Sequence, residues 1–261
     1  MNSPPSPPEA PFVELDAVEK RFSEEVVALK GMDLSLQRGD FCCLVGPSGC
    51  GKSTALRLIA GLARPSSGHL RWSGSQDLPR EGQIGFVFQE PTLMPWRRVW
   101  ENVWLPLQLR GMSRSASQDA VDEAIELVGL TDAVRMFPRQ LSGGMKMRVS
   151  IARALVTKPA LMLMDEPFAA LDESTRFRLN DDLLRLWHEQ RWTVLFVTHS
   201  VYESVYLGSR IATMTGRPGR VASEIEVNAG HPRDESFRRT SEYADCCAKV
   251  SRLLATGQGV S

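Results

Sequence analysis

The chain has 261 residues, with 31 basic and 31 acidic side chains and a formal net charge of zero. Apolar residues make up 43% and charged residues 24%, so the chain can bury a sizeable core, and its charge balance argues against a protein held to nucleic acid by bulk positive charge. No uninterrupted apolar run exceeds that of Ala160 to Met164, far short of the roughly 20 residues that a membrane-spanning helix needs.

Residues 1–11 are rich in Pro and Ser and read as a disordered tail; with neither a basic start nor an apolar stretch, they do not read as a secretory signal. From Phe12 to Gln37 the pattern is strand-like, with Met32, Leu34 and Leu36 alternating with polar residues. Phe41 to Val45 is a continuous apolar run, as expected of a buried parallel strand, and a helical stretch follows from Lys52 to Leu62. Further strand signal lies at His69–Trp72 and Ile84–Phe88. Val103, Leu107, Val121, Ile125 and Val128 then recur at helical spacing, which predicts a helical lobe over about 91–140. The α/β pattern resumes with a helix from Gly143 to Val156, a buried strand from Leu161 to Met164, a helix over 173–190 and a strand from Thr193 to Val197. The remainder reads as a strand pair and one helix near Phe237 to Leu254, with 226–261 forming a C-terminal helical extension. The five cysteines, Cys42, Cys43, Cys50, Cys246 and Cys247, include no C-x-x-C; they form neither a disulfide framework nor a zinc site, and a reducing compartment fits them.

Gly46-Pro47-Ser48-Gly49-Cys50-Gly51-Lys52-Ser53 fits the phosphate-loop pattern G-x-x-x-x-G-K-[ST], between an apolar strand and a helical segment. Glycines let the backbone curl so that several N–H groups face one anion, and the N-terminus of the helix that starts at Lys52, with Thr54 in its first turn, adds its dipole. Lys52 supplies a point charge for the β- and γ-phosphates of a nucleoside triphosphate, and the Ser53 hydroxyl is a Mg²⁺ ligand. The strand Leu161–Met164 ends in Asp165-Glu166, which places both carboxylates at the C-terminal edge of the sheet. Asp165 is then the second Mg²⁺ ligand, and Glu166 is placed to polarise an attacking water. His199, after the strand Thr193–Val197, and Gln89, after Ile84–Phe88, end at the same edge; His199 suits the γ-phosphate, and Gln89 can reach Mg²⁺ or water without adding charge. Ser142 is a good N-cap for the helix that follows, and Gly143 and Gly144 expose backbone N–H groups, making a second anion site. Taken alone, that segment is an ordinary Ser-capped helix.

In this order, the phosphate loop, Gln89, LSGGM at 141–145, LMLMDEP at 161–167, Ala170-Leu171-Asp172 and His199 resemble the ATP-binding subunit of an ATP-binding-cassette (ABC) transporter, over about residues 12–225. The resemblance implies an α/β fold: a P-loop NTPase core with an N-terminal antiparallel β subdomain and an inserted α-helical lobe. It implies ATP and Mg²⁺ as ligands and a head-to-tail dimer in which each ATP lies between one copy's phosphate loop and the other's Ser142–Gly144. Asp172 then contacts the partner copy, and Phe22 falls where the family stacks an aromatic ring on adenine, more usually tyrosine. The signature ends in Met145 rather than Gln, and Ser200 follows His199 where an acid is usual. The segment from Gln89 to Val103 and the run Gly216-Arg217-Pro218-Gly219-Arg220-Val221 are similar to those of importers of nitrate, sulfonates, taurine and pyrimidine-type precursors. The implied setting is the cytoplasmic face of the plasma membrane. The implied partners are a second copy, separate permease subunits and, indirectly, a solute-binding protein, with no nucleic acid. Two alternatives stand beside this one: a soluble ABC ATPase without a permease, and a P-loop kinase acting on a small molecule. The first usually brings paired cassettes, coiled coils or a basic surface; the second needs neither LSGG nor the Asp-Glu pair.

Overall fold

The computed structural model describes residues 11–73, 83–230 and 233–258, so all of the expected N-terminal tail but Pro11, and the last three residues of the C-terminal extension, lie outside the described residues. Strands β1 (Val13–Arg21) and β2 (Val27–Leu36) pair antiparallel, with Val13 opposite Leu36 and Leu15 opposite Leu34. After strand β3 (Phe41–Val45) and helix α1 (Lys52–Ile59), strand β4 (Ser67–Trp72) returns to the other side of β1, giving a three-stranded antiparallel sheet. Its inward positions Leu15, Met32, Leu34 and Leu36 are buried, so the alternation in the sequence marks the face turned to the core.

The second sheet has six strands. Strand β5 (Ile84–Val87) leads to helices α2 (Val99–Leu109) and α3 (Gln118–Leu127), then to helix α4 (Gly143–Leu155) and strand β6 (Leu161–Asp165). Helix α5 (Glu173–Gln190), strand β7 (Thr193–Thr198), helix α6 (Val201–Leu207), strands β8 (Arg210–Met214) and β9 (Val221–Glu226) and helix α7 (Ser241–Gln258) complete the order. The strands lie side by side as β5-β6-β7-β3-β8-β9, all parallel except β9.

Every residue of β3 is fully buried, as its unbroken apolar run requires of a strand covered on both faces. Alternate residues divide between two cores. Cys42, Leu44, Leu161, Leu163, Leu195 and Val197 pack with α1 and the antiparallel sheet. Phe41, Cys43, Val45, Met162, Met164 and Phe196 pack with α4, α5, α6 and the helical lobe. Burying these side chains contributes about 1.5–3 kcal/mol each for the larger ones, the main term that holds the layers together.

The C-terminal segment is pinned to α6. Buried Arg233 donates through Nη1 to the carbonyls of Val205, Tyr206 and Gly208, each at 2.9 Å, and so satisfies the C-terminal end of that helix. Arg238 lies 3.5 Å over the Tyr206 ring and pairs with Asp181 of α5 at 2.9 Å. The five cysteines are free thiols.

Candidate functional site

Parallel strands β3, β5, β6 and β7 all finish at one edge of the sheet, and the loops that follow them carry the chemistry-bearing residues. At the end of β3, the loop 46–51 wraps round the start of α1. Gly51 holds φ at 106°, and a Cβ there would lie 2.6 Å from Leu29 Cδ2 and 2.9 Å from the Ala28 carbonyl, so only glycine lets the loop close against β2. Gly51 is the N-cap of α1 and makes no side-chain cap hydrogen bond. Lys52 is 5% exposed and turns back over the loop, its Nζ donating to the carbonyls of Gly46 at 2.8 Å and Pro47 at 3.0 Å.

The register of the central strands brings the remaining groups to this loop. Ser53 Oγ donates to Asp165 Oδ1 at 2.9 Å. Asp165 is the last residue of β6, and its desolvation raises the carboxyl pKa above the ordinary value despite the Ser53 hydrogen bond. Glu166 sits in the left-handed region at φ 46°, a strained conformation for a non-glycine residue, with its N–H donating to the Val197 carbonyl at 3.0 Å. That turn aims its carboxylate across the loop: Oε1 is 3.6 Å from Lys52 Nζ and Oε2 is 2.9 Å from His199 Nδ1. Thus Lys52, Ser53, Asp165, Glu166 and His199 form one connected polar cluster. Gln89 is exposed just beyond β5, at the same edge of the sheet.

The other expected residues make no hydrogen bond or ion pair with the cluster among the described residues. Ser142 caps α4, its Oγ accepting from the Met145 N–H at 3.2 Å, while Ser142 and Gly143 are exposed. A Cβ on Gly144 would come within 2.7 Å of Thr175 Cγ2, so glycine is what lets α4 approach α5 there. No hydrogen bond or ion pair joins Ser142–Gly144 to the phosphate loop among the described residues. Asp172 caps α5: its carboxylate accepts from the Thr175 N–H at 3.0 Å and from Ser174 Oγ at 2.8 Å, contacts that pull its pKa down to about 2. Phe22, just past β1, presents a ring that is 60% exposed.

Three residues outside the sequence motifs also shape the site. Glu203, one turn into α6, is buried and accepts from Thr198 Oγ1 at 2.6 Å, while Thr198 Oγ1 accepts in turn from the Ser200 N–H at 3.0 Å. This chain of bonds brackets His199; the Ser200-x-x-Glu203 capping pattern was its only trace in the sequence. Arg153 of α4 donates to the carbonyls of Pro91 at 2.8 Å and Thr92 at 2.9 Å, tying the helix that begins at Ser142 to the loop after Gln89. Fully buried Asn102 fixes the rest of that loop: Nδ2 donates to the carbonyls of Met94, Arg97 and Arg98, and Oδ1 accepts from the Met94 N–H.

Three tryptophans, each four residues after the last, lie beyond Gln89. Trp96, Trp100 and Trp104 do not share one helical face, because α2 begins only at Val99. Trp100 is buried and donates to Asp122 at 2.9 Å, and Trp104 packs beside it, whereas Trp96 stands 71% exposed in the preceding turn.

The family model described as ABC transporter matches residues 29–169. The aliphatic sulfonates import ATP-binding protein SsuB of Bacillus cereus is 40% identical over 232 residues, 87% of this chain and 91% of that protein. The nitrate import ATP-binding protein NrtD of Synechocystis sp. is 41% identical over 245 residues, 91% of each. Among solved structures, the dimeric post-hydrolysis state of the ATP-binding cassette MJ0796, bound to ADP and Pi, superposes with a TM-score of 0.72 at 35% identity, covering 84% of this chain and 100% of that one.

Proposed function

The chain belongs to the ABC transporter family as an ATP-hydrolysing subunit, and from that premise we propose that it drives a small-solute importer, pairing head-to-tail with a second copy beneath a separate permease. The observation that carries this reading is that the chain's two glycine-containing helix starts, at 46–52 and at 142–144, are not joined by any hydrogen bond or ion pair among the described residues. The cluster around Lys52 offers a nucleotide its phosphate loop, cation and base, yet the helix start at Ser142–Gly144, where Ser142 and Gly143 are exposed, makes no such contact with it among the described residues. A second copy, turned about a two-fold axis, supplies what each site lacks.

In this reading the backbone N–H groups of 46–54 and Lys52 Nζ bind the phosphates of ATP, and Phe22 stacks on adenine. Lys52 exchanges its two carbonyl partners for phosphate oxygens. Ser53 Oγ and Asp165 Oδ1 are hard oxygen donors 2.9 Å apart, a set suited to Mg²⁺ completed by phosphate and water. When bound, Mg²⁺ supplies charge neutralisation on the phosphates. Gln89 reaches toward the same ion or its water. Glu166 takes the proton of the attacking water, and His199 holds Glu166 and meets the γ-phosphate. From the second copy come Ser142–Gly144 on the γ-phosphate and Asp172 at the joint.

The importer assignment is supported by the likeness to the nitrate and sulfonate import proteins. No helix among the described residues is long and apolar enough to cross a membrane, so the solute path is left to permease subunits, with a solute-binding protein delivering to them from outside and this chain on the cytoplasmic face. The test is growth of the source organism, with this gene deleted, on nitrate, a sulfonate or taurine as sole nitrogen or sulfur source. The expected result is loss of growth on one of them, restored by the wild-type gene and not by Lys52→Ala. Uptake of all three at the undisturbed rate would sink the importer reading.

A further inference from the structure

Beside the nucleotide cluster, α5, α6 and the C-terminal segment enclose an open groove of about 1100 Å³. Side-chain contacts tie its walls together. Arg238 bridges the helices through Asp181, Tyr206 and Phe177, whose ring it overlies at 4.7 Å, and Tyr243 donates to the Tyr202 carbonyl at 2.9 Å. Two large rings nevertheless face solvent at its rim, Phe177 at 41% and Tyr202 at 68% exposure. Beside them stand Glu173 and Arg178, opposite charges on the first turns of α5, neither of which has an ion-pair partner among the described residues. Exposed aromatics flanked by unpaired charge of both signs have the composition of an interface rather than of a plain solvated face.

We propose that this groove is a second self-contact, in which two copies meet rim to rim about the same two-fold axis as the ATP sites. The inference rests on the head-to-tail reading above. Two observations select a second copy as the occupant. The first is continuity: α5 follows Asp172 directly and its first residue, Glu173, lines the groove, so the groove opens where the residue assigned to the partner-facing joint ends. The second is self-complementarity. A two-fold contact sets residue i of one copy against residue j of the other and j against i. A patch carrying one unpaired acid and one unpaired base satisfies itself under that operation, Glu173 meeting Arg178 of the second copy twice, with the Phe177 and Tyr202 rings packed between. This gives the C-terminal segment a task, since it builds the wall that holds Phe177 in place.

The experiment uses the full chain carrying Glu166→Gln, with ATP, and reads the monomer–dimer constant by sedimentation velocity. Adding Glu173→Arg or Arg178→Glu places like charges in both contacts, and each is expected to weaken the dimer by about tenfold or more. In a mixed dimer of the two variants each contact again joins one acid to one base. The introduced arginine of one copy meets the introduced glutamate of the other, and the native Arg178 meets the native Glu173. Mixing in equal amounts should therefore return the constant to within about threefold of the parent. Recovery on mixing cannot come from a variant that merely misfolds. If both charge variants dimerise like the parent, or if mixing restores nothing, the groove serves some other partner and this inference is overturned. If the Glu166→Gln parent itself fails to dimerise with ATP, the sandwich reading fails first and takes this one with it.

Discussion

His199 Nδ1 lies 2.9 Å from Glu166 Oε2, although 33 residues separate them in the chain. A carboxylate only accepts hydrogen bonds, so the imidazole is the donor, and the other carboxylate oxygen is left toward Lys52 at 3.6 Å. Held from both sides and twisted into a left-handed backbone conformation, Glu166 has little freedom to turn away from the phosphate loop.

Glu166→Gln keeps the shape of this arrangement and removes the proposed proton acceptor. General-base catalysis is worth about 10²–10⁴ in rate, so turnover should fall by that order while ATP affinity stays near wild type. ATP-dependent dimers should then accumulate and be visible by gel filtration. His199→Ala should also slow turnover, because Glu166 loses the donor that orients it. Hydrolysis close to wild type in the Gln variant would mean that another group activates the water.

Lys52 is the cation proposed to meet the phosphates, and its two hydrogen bonds to the Gly46 and Pro47 carbonyls show it already directed over the loop 46–51 rather than into solvent. Lys52→Ala should lower ATP affinity on the order of ten- to a hundredfold, the size of a lost charge-assisted contact. Calorimetric titration with a non-hydrolysable ATP analogue measures it, and near-normal affinity would remove the phosphate loop from the nucleotide site.

Much of this site is legible in the sequence because strand ends are legible. An apolar run such as Phe41–Val45 or Leu161–Met164 announces a buried parallel strand, and whatever follows it must emerge at one edge. Lys52, Asp165, Glu166 and His199 therefore converge for a reason visible residue by residue. Glu203 is less legible, since one acid inside a helical segment has no period, and its burial depends on Thr198 reaching it from a strand end. Arg153 is hidden for the same reason: it lies on a helix whose pattern is complete without it, and its partners are carbonyls, which carry no sequence signal. The tryptophans show the converse. A spacing of four suggests one helical face, but Arg98 is the N-cap of α2 and Glu101 accepts from its N–H at 2.9 Å, so the helix starts too late to include Trp96. The groove walls come from three separate stretches of chain and have no local pattern at all.

Burial raises the pKa of Glu203 above the ordinary carboxylate value, even with Thr198 and Arg176 favouring its charge. A carboxyl whose folded pKa exceeds its unfolded pKa contributes stability that is fully present below the unfolded value and is lost as pH rises through the folded value. Glu203→Gln does not titrate, so the difference in melting temperature, variant minus wild type, should become more positive from pH 5 to pH 8. Thermal denaturation at several pH values checks the slope. A difference that is flat, or that falls with pH, would show that Glu203 is no harder to ionise in the folded chain than in the unfolded one.

Trp96 is the most conspicuous exposed ring in the molecule, and the loop that carries it is not loose. Asn102 ties the carbonyls of Met94, Arg97 and Arg98 from within, and Arg153 holds those of Pro91 and Thr92. Ordering a loop so thoroughly while leaving an indole in water makes sense when the indole has a partner, because aromatic side chains bury a large area on association at small entropic cost. Gln89 at the head of this loop and Ser142 at the head of the Arg153 helix both belong to the proposed nucleotide sites, so the loop is mechanically joined to each. Trp96→Ala should therefore weaken solute transport in vesicles reconstituted with the permease, while ATP hydrolysis by the isolated subunit and its helical circular dichroism stay near wild type. Because Trp96 touches little of the lobe, whereas Trp100 is locked to Asp122, Trp100→Ala is the contrasting variant and should lose helical content. Should Trp96→Ala lower ATPase activity and helicity together with transport, the ring belongs to the fold of the lobe and not to its contact with a membrane partner.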